Sequence, residues 1–408
     1  MPLKAVMYGA GNIGRGFIGQ IFAQSGYELC FIDVAEPVIH ALNRDGRYPV
    51  RILRDTSSED IWIEGVRAIN GNDMAAAAQA IAEADIMATA VGVRVLPLVA
   101  PVMAEGLKRR FTLNRKPLNI IICENLIDAN KALERLIHDH LDGKERQWFN
   151  EHVGLVKASI GRMVPLQTPA MQDGNLLRVC VEAYGFLPVD KAAFKGDIPR
   201  LAGMHPFDHF DFYIQRKLFI HNMGHAICGY YGMIRGDAYI YETVGHGGIR
   251  YISQNAMLES ALALSAQHTM PLADMYYHIQ DLLRRFSNKA LADTCARVGA
   301  DTVRKLGSQD RFIGALRLCA GKGIASPFIA AGTAAALYCH LHEHNITQSR
   351  EASQAALVEI AELADDSVEA AMVLEFHSIL ASSAHGNFDS VIMEIIKEAS
   401  MAHTDTII

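Results

Sequence analysis

The sequence predicts an α/β Rossmann-type dinucleotide-binding domain followed by an all-α domain. Three observations over the 408 residues support this division. A glycine-rich turn joins a strand to an amphipathic helix near the start, short apolar strands alternate with helices through the first half, and helical periodicity replaces the strand signal from about residue 208. We therefore expect a Rossmann-type domain over residues 1–195 and a helical substrate-binding and catalytic domain over residues 196–408.

The glycine-rich turn follows the short apolar strand Leu3–Tyr8 and opens the amphipathic helix Ile13–Ser25. In this GxGxxG pattern Gly9 permits the tight turn, Gly11 allows a pyrophosphate to approach the backbone, and Gly14 allows close helix–strand packing. The phosphates are expected at the helix N-terminus, where N–H groups and the macrodipole favour negative charge. The cofactor-binding residues expected here are Gly9, Gly11, Asn12, Ile13 and Gly14.

A second strand, Glu28–Val34, carries Asp33 near its end. An acid about 20 residues after the glycines is placed to bind the adenosine ribose hydroxyls. Its negative charge would also repel a 2′-phosphate, so the sequence favours NAD over NADP as cofactor. The alternative is a glycine-rich turn without a ligand, but the full order of strand, glycines, helix, strand and acid is more specific than the glycines alone.

Two later strands end in polar or small residues. The strand Asp85–Val91 leads into Gly92, and the strand Leu118–Cys123 is followed by Glu124 and Asn125. Cofactors bind at the carboxyl ends of parallel strands, so Asn125 is a candidate for the reacting centre. The alternative is that Asn125 is only the N-cap of the next helix. Further cofactor contacts are expected at Thr89, Val91 and Gly92.

The other elements of the first half continue the alternation. They are a helix from about Glu36, β-rich runs Pro49–Leu53 and Ile61–Ile69, helices Asp73–Glu83 and Leu96–Arg109, and β-like segments Leu155–Ser159 and Leu177–Tyr184. The second half is expected to contain helices, with a loop at Gly245–Gly248. These helices are Asp208–Gly232, Tyr251–His268, Pro271–Phe286, Asp310–Cys319, Pro327–His344, Glu351–Ala364, Ser367–Leu380 and one from about Phe388 to Ser400.

The first of these helices carries an unusual polar face. At about 100° per residue, Lys217, His221, Asn222 and His225 fall within an arc of roughly 140°, and apolar residues gather on the opposite side. A lysine, an amide and two imidazoles on one face are candidates for an active site. The alternative is an ordinary solvated helix face.

Composition restricts the class of protein. The net charge of -7 argues against a general nucleic-acid binder, and no apolar run reaches the length of a membrane span. The first residues lead directly into a strand, so no signal peptide is expected. Seven scattered cysteines without CxxC spacing fit reduced thiols in the cytoplasm. Among the 17 histidines no HExxH or similar spacing occurs, so no metal site is expected.

Several motifs, in this order along the chain, resemble those of the long-chain mannitol dehydrogenase family. Lys217, Asn222 and His225 reproduce its K-x4-N-x2-H pattern, and Gly161 stands where the family pattern has an aspartate. The other matching stretches are Gly9–Gly19, Thr89–Gly92, Cys123–Asn125, Arg162–Pro165, Arg297–Gly299, Arg304–Leu306 and Asp310–Arg311.

The resemblance implies zinc-independent, NAD-dependent interconversion of a secondary alcohol of a polyol and a ketose. The expected substrate pair is a polyol phosphate such as mannitol 1-phosphate and the ketose fructose 6-phosphate. On this pattern Lys217 is the general base, Asn125 and Asn222 stabilise the alkoxide, and His225 orients the substrate or assists the lysine. Candidate substrate-binding cations are Arg162, Arg304 and Lys305.

The chemistry is reasonable without the family, because hydride leaves readily only from a carbon whose oxygen approaches an alkoxide. A base removes the proton, and amide donors can stabilise the oxyanion without a metal. Three alternatives remain open from the sequence: a related sugar-acid or ketose reductase, a β-hydroxyacid-type dehydrogenase, and a catalytically impaired NAD-binding homologue. The oligomeric state is not predicted.

Overall fold

In this computed structural model, which describes residues 2–113, 116–382 and 387–404, every strand lies before residue 208. The strands are β1 (Leu3–Tyr8), β2 (Tyr27–Asp33), β3 (Arg47–Leu53), β4 (Ser58–Glu64), β5 (Val66–Asn70), β6 (Ile86–Thr89), β7 (Leu118–Ile122), β8 (Val153–Lys157), β9 (Val179–Glu182), β10 (Leu187–Asp190) and β11 (Met204–Phe207). The helices of the same region are α1 (Gly19–Gln24), α2 (Glu36–Asp45), α3 (Met74–Glu83), α4 (Leu96–Leu113), α5 (Ala129–His138), α6 (Gly143–His152) and α7 (Pro169–Gln172).

Six parallel strands form the central sheet in the order β5-β2-β1-β6-β7-β8. Counted without β3 and β4, this is the order 3-2-1-4-5-6 of the Rossmann fold, as predicted. Helices cover both faces, so the central strands are apolar throughout; all five residues of β7, for example, are buried. The switch in strand order next to β1 places the carboxyl ends of β1, β2 and β6 side by side.

Two smaller sheets complete the N-terminal unit. β3 forms a hairpin with β4 and pairs in parallel with β9, while β10 pairs in parallel with β11. Because β11 is part of this unit, the chain divides into Met1–Phe210 and Asp211–Ile408. The boundary therefore lies after residue 210 rather than at 195, since the short strands β10 and β11 were not predicted.

The C-terminal unit is helical, as expected. Its helices are α8 (Asp211–Arg216), α9 (Met223–Arg235), α10 (Ile240–Gly245), α11 (Gly247–His268), α12 (Leu272–Phe286), α13 (Cys295–Gly299), α14 (Thr302–Leu306), α15 (Ile313–Ala320), α16 (Pro327–Glu343), α17 (Arg350–Glu359), α18 (Val368–Ser382) and α19 (Phe388–Thr404). The predicted loop at residues 245–248 is wrong: His246 accepts a hydrogen bond from the Ile249 N–H, and α11 begins at Gly247. The short helices α10, α13 and α14 carry too few turns to produce a periodic signal.

Helix α16 forms the centre of this unit and packs against α9, α11 and α18. Small residues along α16 allow this close packing; a Cβ at Gly332, for example, would lie 2.6 Å from Ile227 of α9. The buried carboxylate of Glu259 on α11 accepts the first N–H groups of α16, from Phe328 at 3.0 Å and Ile329 at 2.8 Å. This acid fixes the N-terminus of the central helix.

All seven cysteines are buried free thiols. Within residues 2–113, 116–382 and 387–404, no helix combines the length and the apolar composition needed to cross a membrane.

Candidate active site

The glycine-rich turn leaves one part of its backbone open. Gly9 has φ +102°, which L side chains rarely adopt, and a Cβ at Gly14 would overlap the carbonyl oxygen of Gly9. An added Cβ at Gly11, in contrast, would have no other atom within 4 Å. The residues at this turn therefore fit a dinucleotide pyrophosphate, because the backbone is exposed beside the start of the helix, which includes a π-helical segment at Gly14–Ile18.

Asp33 closes the turn from the end of β2. Its Oδ2 atom accepts a hydrogen bond from the Ala10 N–H at 2.6 Å, and Oδ1 accepts from the N–H groups of Val34 at 2.8 Å and Ala35 at 2.9 Å. The carboxylate thus orders the glycine turn in addition to carrying negative charge at the place expected for the adenosine ribose.

A buried glutamate connects the ends of β6 and β7. Glu124 Oε2 accepts a hydrogen bond from Thr89 Oγ1 at 2.7 Å, and Oε1 accepts from the Val91 N–H at 3.1 Å. Burial raises the pKa of Glu124, against the opposing effect of these two hydrogen bonds. Thr89 is completely buried, and its bond to Glu124 links the ends of the two strands. Val91 and Gly92 follow at the edge of the sheet where a cofactor is expected.

Asn125 lies exposed directly after this glutamate. The next helix, α5, begins at Ala129 with Asp128 as its N-cap residue. Asn125 is therefore not the N-cap of α5, which excludes the alternative that it serves only to cap this helix. It remains a side chain at the carboxyl end of a central parallel strand.

Tyr184 fills the space beside Gly161. A Cβ at Gly161 would lie 3.0 Å from Cε1 and 3.5 Å from the hydroxyl oxygen of Tyr184, so the phenol occupies the side-chain space of the family's aspartate. The adjacent Arg162 is buried, and it donates from Nε to the Tyr184 carbonyl and from Nη1 to the Gly16 carbonyl and Gln20 Oε1. This differs from the expected substrate contact, since the guanidinium is used to hold the first helix.

The candidate catalytic residues lie on a long helix that contains a π-helical turn. Lys217–Asn222 is π-helical between α8 and α9. Hydrogen bonds in a π turn join residues five apart, so Lys217 and Asn222 lie on the same side, whereas an α-helix would separate them by about 140°. His225 follows Asn222 by three residues of α-helix, which is again a neighbouring position. The helix therefore brings together the three residues of the K-x4-N-x2-H pattern.

His221 departs from the predicted polar face. It is buried, whereas Lys217, Asn222 and His225 are partly exposed. Burial, reinforced by the nearby guanidinium of Arg285 on α12, lowers the pKa of His221 well below its ordinary range. The imidazole is consequently neutral and belongs to the interior, in agreement with the absence of a match at this position in the family pattern.

His225 contacts an acid that the sequence analysis missed. Its Nε2 atom lies 3.1 Å from Oδ2 of Asp293, and its ring stacks on Phe286 with centroids 4.7 Å apart. Burial alone would raise the pKa of Asp293, but contacts with His225 and Arg297 hold that pKa below its ordinary value. In the sequence, an ion pair between Asp293 and Arg297 could have been predicted from their spacing of four residues.

The two later candidate cations differ in accessibility. Lys305 is 5% exposed, and its Nζ atom donates to the carbonyl oxygens of Val298 and Ala300. Burial, with neighbouring cations, lowers the pKa of Lys305 to about 8. Its ammonium is thus directed to backbone, contrary to the expected substrate contact. Arg304 is exposed and pairs with Asp301 and Asp310.

Comparison with known families accounts for nearly the whole chain. The description "Mannitol dehydrogenase Rossmann domain" matches residues 3–203, and "Mannitol dehydrogenase C-terminal domain" matches residues 209–385. The chain belongs to the mannitol dehydrogenase family. It is therefore an oxidoreductase that acts on a CH–OH group, and the predicted family and enzyme class are confirmed.

Relatives within the mannitol dehydrogenase family include mannitol-1-phosphate 5-dehydrogenases of two bacteria. The protein of Brevibacillus brevis is 36% identical over 335 residues, covering 82% of this chain and 86% of the relative. That of Geobacillus thermodenitrificans is 38% identical over 312 residues, covering 76% and 80%. These matches agree with the resemblance seen in the motifs.

Two solved structures of polyol dehydrogenases share the fold. A Pseudomonas fluorescens mannitol 2-dehydrogenase, in ternary complex with NAD and D-mannitol, matches with a TM-score of 0.75 over 97% of this chain and 94% of its own. A substrate-free D-sorbitol dehydrogenase matches with a TM-score of 0.78 over 96% and 95%. At 16% identity each, these likenesses confirm the predicted fold class only.

Two glycine variants separate the structural and ligand-binding roles of the turn. Gly14→Ala is expected to lower the free energy of unfolding by roughly 1–3 kcal/mol or more, because the new methyl group overlaps backbone. Gly11→Ala has open space and should leave the thermal midpoint unchanged, yet weaken NADH binding about tenfold or more by blocking the pyrophosphate. Thermal unfolding measures the stability of each variant, and fluorescence titration measures its affinity for NADH. Unchanged NADH affinity in Gly11→Ala would contradict the assigned site.

Proposed function

We propose that this chain is an NAD-dependent oxidoreductase that interconverts a secondary alcohol of a polyol phosphate and the corresponding ketose. The first candidates are mannitol 1-phosphate and fructose 6-phosphate. The observation that carries the proposal is the placement of Lys217 and Asn222 on one side of the π-helical turn. The names of the relatives at 36% and 38% identity support the same substrate class.

The choice of NAD rests on Asp33 and the glycine turn. When bound, the nicotinamide would supply the hydride acceptor in the direction of alcohol oxidation. Asp33 keeps a carboxylate at the end of β2, where its charge disfavours a 2′-phosphate. Gly11 leaves the backbone open for the pyrophosphate. The Asp33 carboxylate therefore supports NAD over NADP, and the open backbone at Gly11 fits the pyrophosphate that both cofactors share.

The chain's own residues would move and hold charge at the substrate oxygen. Lys217 Nζ is proposed to accept the hydroxyl proton, so that the carbinol oxygen acquires alkoxide character as the hydride departs. Asn125 and Asn222 are proposed to donate amide N–H groups to that oxygen, which stabilises the developing charge without a metal ion. His225 orients the substrate or assists the lysine.

Only one of the three cations expected to bind a substrate phosphate remains accessible. Arg162 and Lys305 use their charges on interior carbonyl oxygens. Arg304 remains accessible, although Asp301 and Asp310 partly neutralise it. Of the three predicted substrate-binding cations, Arg304 is therefore the one that we retain for an anionic group.

A screen of NADH oxidation tests the proposed function. The purified chain is assayed with fructose 6-phosphate, fructose and a panel of other free and phosphorylated ketoses and keto-acids, with NADH or NADPH. We expect the highest kcat/KM with a phosphorylated ketose and NADH. Highest activity with a free ketose would reassign the substrate. Tight NADH binding without turnover of any substrate would instead indicate a catalytically impaired homologue.

A further inference from the structure

We propose that Asp293 is a positioning residue that holds the His225 imidazole for the reaction proposed above. The inference rests on that function and adds a residue to it. Asp293 lies between α12 and α13, outside the helix that carries Lys217, Asn222 and His225. It is 8% exposed, and its Oδ2 atom lies 3.1 Å from Nε2 of His225.

The backbone around Asp293 is fixed to a neighbouring segment. The Asp293 carbonyl accepts a hydrogen bond from the Ile240 N–H at 2.9 Å, and the Cys295 N–H donates to the Ala238 carbonyl at 3.0 Å. The Thr294 side chain then caps α13 by accepting from the Arg297 N–H. These bonds, at Asp293 and at the two residues after it, restrict the position of the acid independently of its side-chain contacts.

The carboxylate itself is fixed by Arg297. The guanidinium donates from Nε to Oδ1 at 2.7 Å and from Nη2 to Oδ2 at 2.6 Å. This two-point contact sets the plane of the carboxylate and leaves Oδ2 also facing His225. Because its pKa is held below the ordinary value by its basic neighbours, Asp293 carries its negative charge at neutral pH.

The imidazole of His225 is restrained in two different ways. Stacking on Phe286, with an angle of 14° between the rings, fixes the plane of the imidazole. The contact with Asp293 restrains rotation within that plane, since it attracts the Nε2 edge. The two groups are at ion-pair distance without the alignment of a linear hydrogen bond, so the restraint is mainly electrostatic. Asp293 is buried and His225 is only partly exposed, which limits the screening of this contact by solvent.

The contact between Asp293 and His225 resembles that between the acid and the histidine of a catalytic triad. An acid in contact with a histidine fixes the orientation of the ring and stabilises any positive charge that the ring acquires. His225 is also the third member of the face that contains Lys217 and Asn222. Loss of Asp293 should consequently affect turnover through His225, rather than through the fold or through NADH binding.

A double-mutant cycle tests the proposal. Asp293→Asn and His225→Ala are each expected to lower kcat on the order of tenfold or more, with NADH affinity unchanged. If Asp293 acts through His225, the double variant will be no slower than His225→Ala alone. Effects that multiply, or full activity of Asp293→Asn, would overturn the proposal.

Two further variants distinguish positioning from packing. Asp293→Glu keeps the charge but lengthens the side chain, so it should recover part of the kcat that Asp293→Asn loses; a packing role predicts that the isosteric Asn is better tolerated. The matched control is Asp237→Asn, an acid of the same unit that pairs with Arg235 and accepts from Thr243, and it should retain kcat.

The outcomes also separate this inference from the proposed function. A wild-type protein that turns over no substrate in the screen would overturn both, because no reaction would remain to be positioned. An active wild type in which the cycle is multiplicative would overturn only the role of Asp293. Thermal midpoints of every variant, measured beside the rates, identify any loss that comes from unfolding.

Discussion

Lys217→Ala is expected to lower kcat by about 10²- to 10⁴-fold, because general-base catalysis typically contributes that much. NADH affinity should stay within about twofold of wild type, since the cofactor contacts are assigned to the N-terminal unit. Steady-state kinetics with the best substrate of the screen and fluorescence titration with NADH provide the two measurements. The physical reason is that no other group is assigned to accept the hydroxyl proton.

Lys322→Ala provides the control for this experiment, since Lys322 is an exposed lysine of the same unit. It should keep full activity. Addition of a small primary amine should restore part of the activity of Lys217→Ala, which a misfolded protein would not show. Near-wild-type kcat in Lys217→Ala would remove the lysine from the mechanism.

Asn125→Ala and Asn222→Ala are each expected to lower kcat about 10²- to 10³-fold, the usual effect of removing one oxyanion donor. Because the interaction is strongest in the transition state, kcat and kcat/KM should fall together. Neither change should unfold the chain. Asn125 does not cap α5, and Asn222 contacts Arg311 through its backbone carbonyl at 3.3 Å, which alanine retains.

Asn255→Ala is the matched amide control, because the Asn255 side chain donates to the Tyr251 carbonyl within α11. Its kinetics should equal those of wild type, and thermal midpoints should be similar for all three variants. A rise in KM with unchanged kcat at Asn125 or Asn222 would mean that the amide binds the ground state equally well, and the oxyanion role would be wrong.

The Rossmann fold and its cofactor turn could be predicted because local sequence determines them. Gly9, Gly14 and Asp33 are required by backbone conformation, close packing and charge within a single βαβ unit. The helical second half was also predicted from periodicity. The domain boundary was placed too early because β10 and β11 have only four residues each, too few for an alternating pattern to appear.

The burial of individual site residues could not be predicted from the sequence. Arg162 and Lys305 have the composition of substrate-binding cations, but tertiary structure turns both toward backbone carbonyl oxygens. Tyr184 and Asp293 were not predicted as site residues because Gly161 and His225, which they contact there, are distant from them in sequence. The catalytic roles of Lys217, Asn125, Asn222 and His225 stay predictions until the variants are measured.

The π-helical turn at Lys217–Asn222 has a consequence for how this chain tolerates change. A π turn contains one residue more than the α-helical turn that it replaces. Deleting that residue would preserve a continuous helix but rotate everything after it by about 100° relative to Lys217. If α9 keeps its packing, Lys217 would then no longer lie on the same side of the helix as His225. Insertions and deletions in this turn are therefore more damaging than most substitutions, since the count of residues is itself part of the active-site geometry.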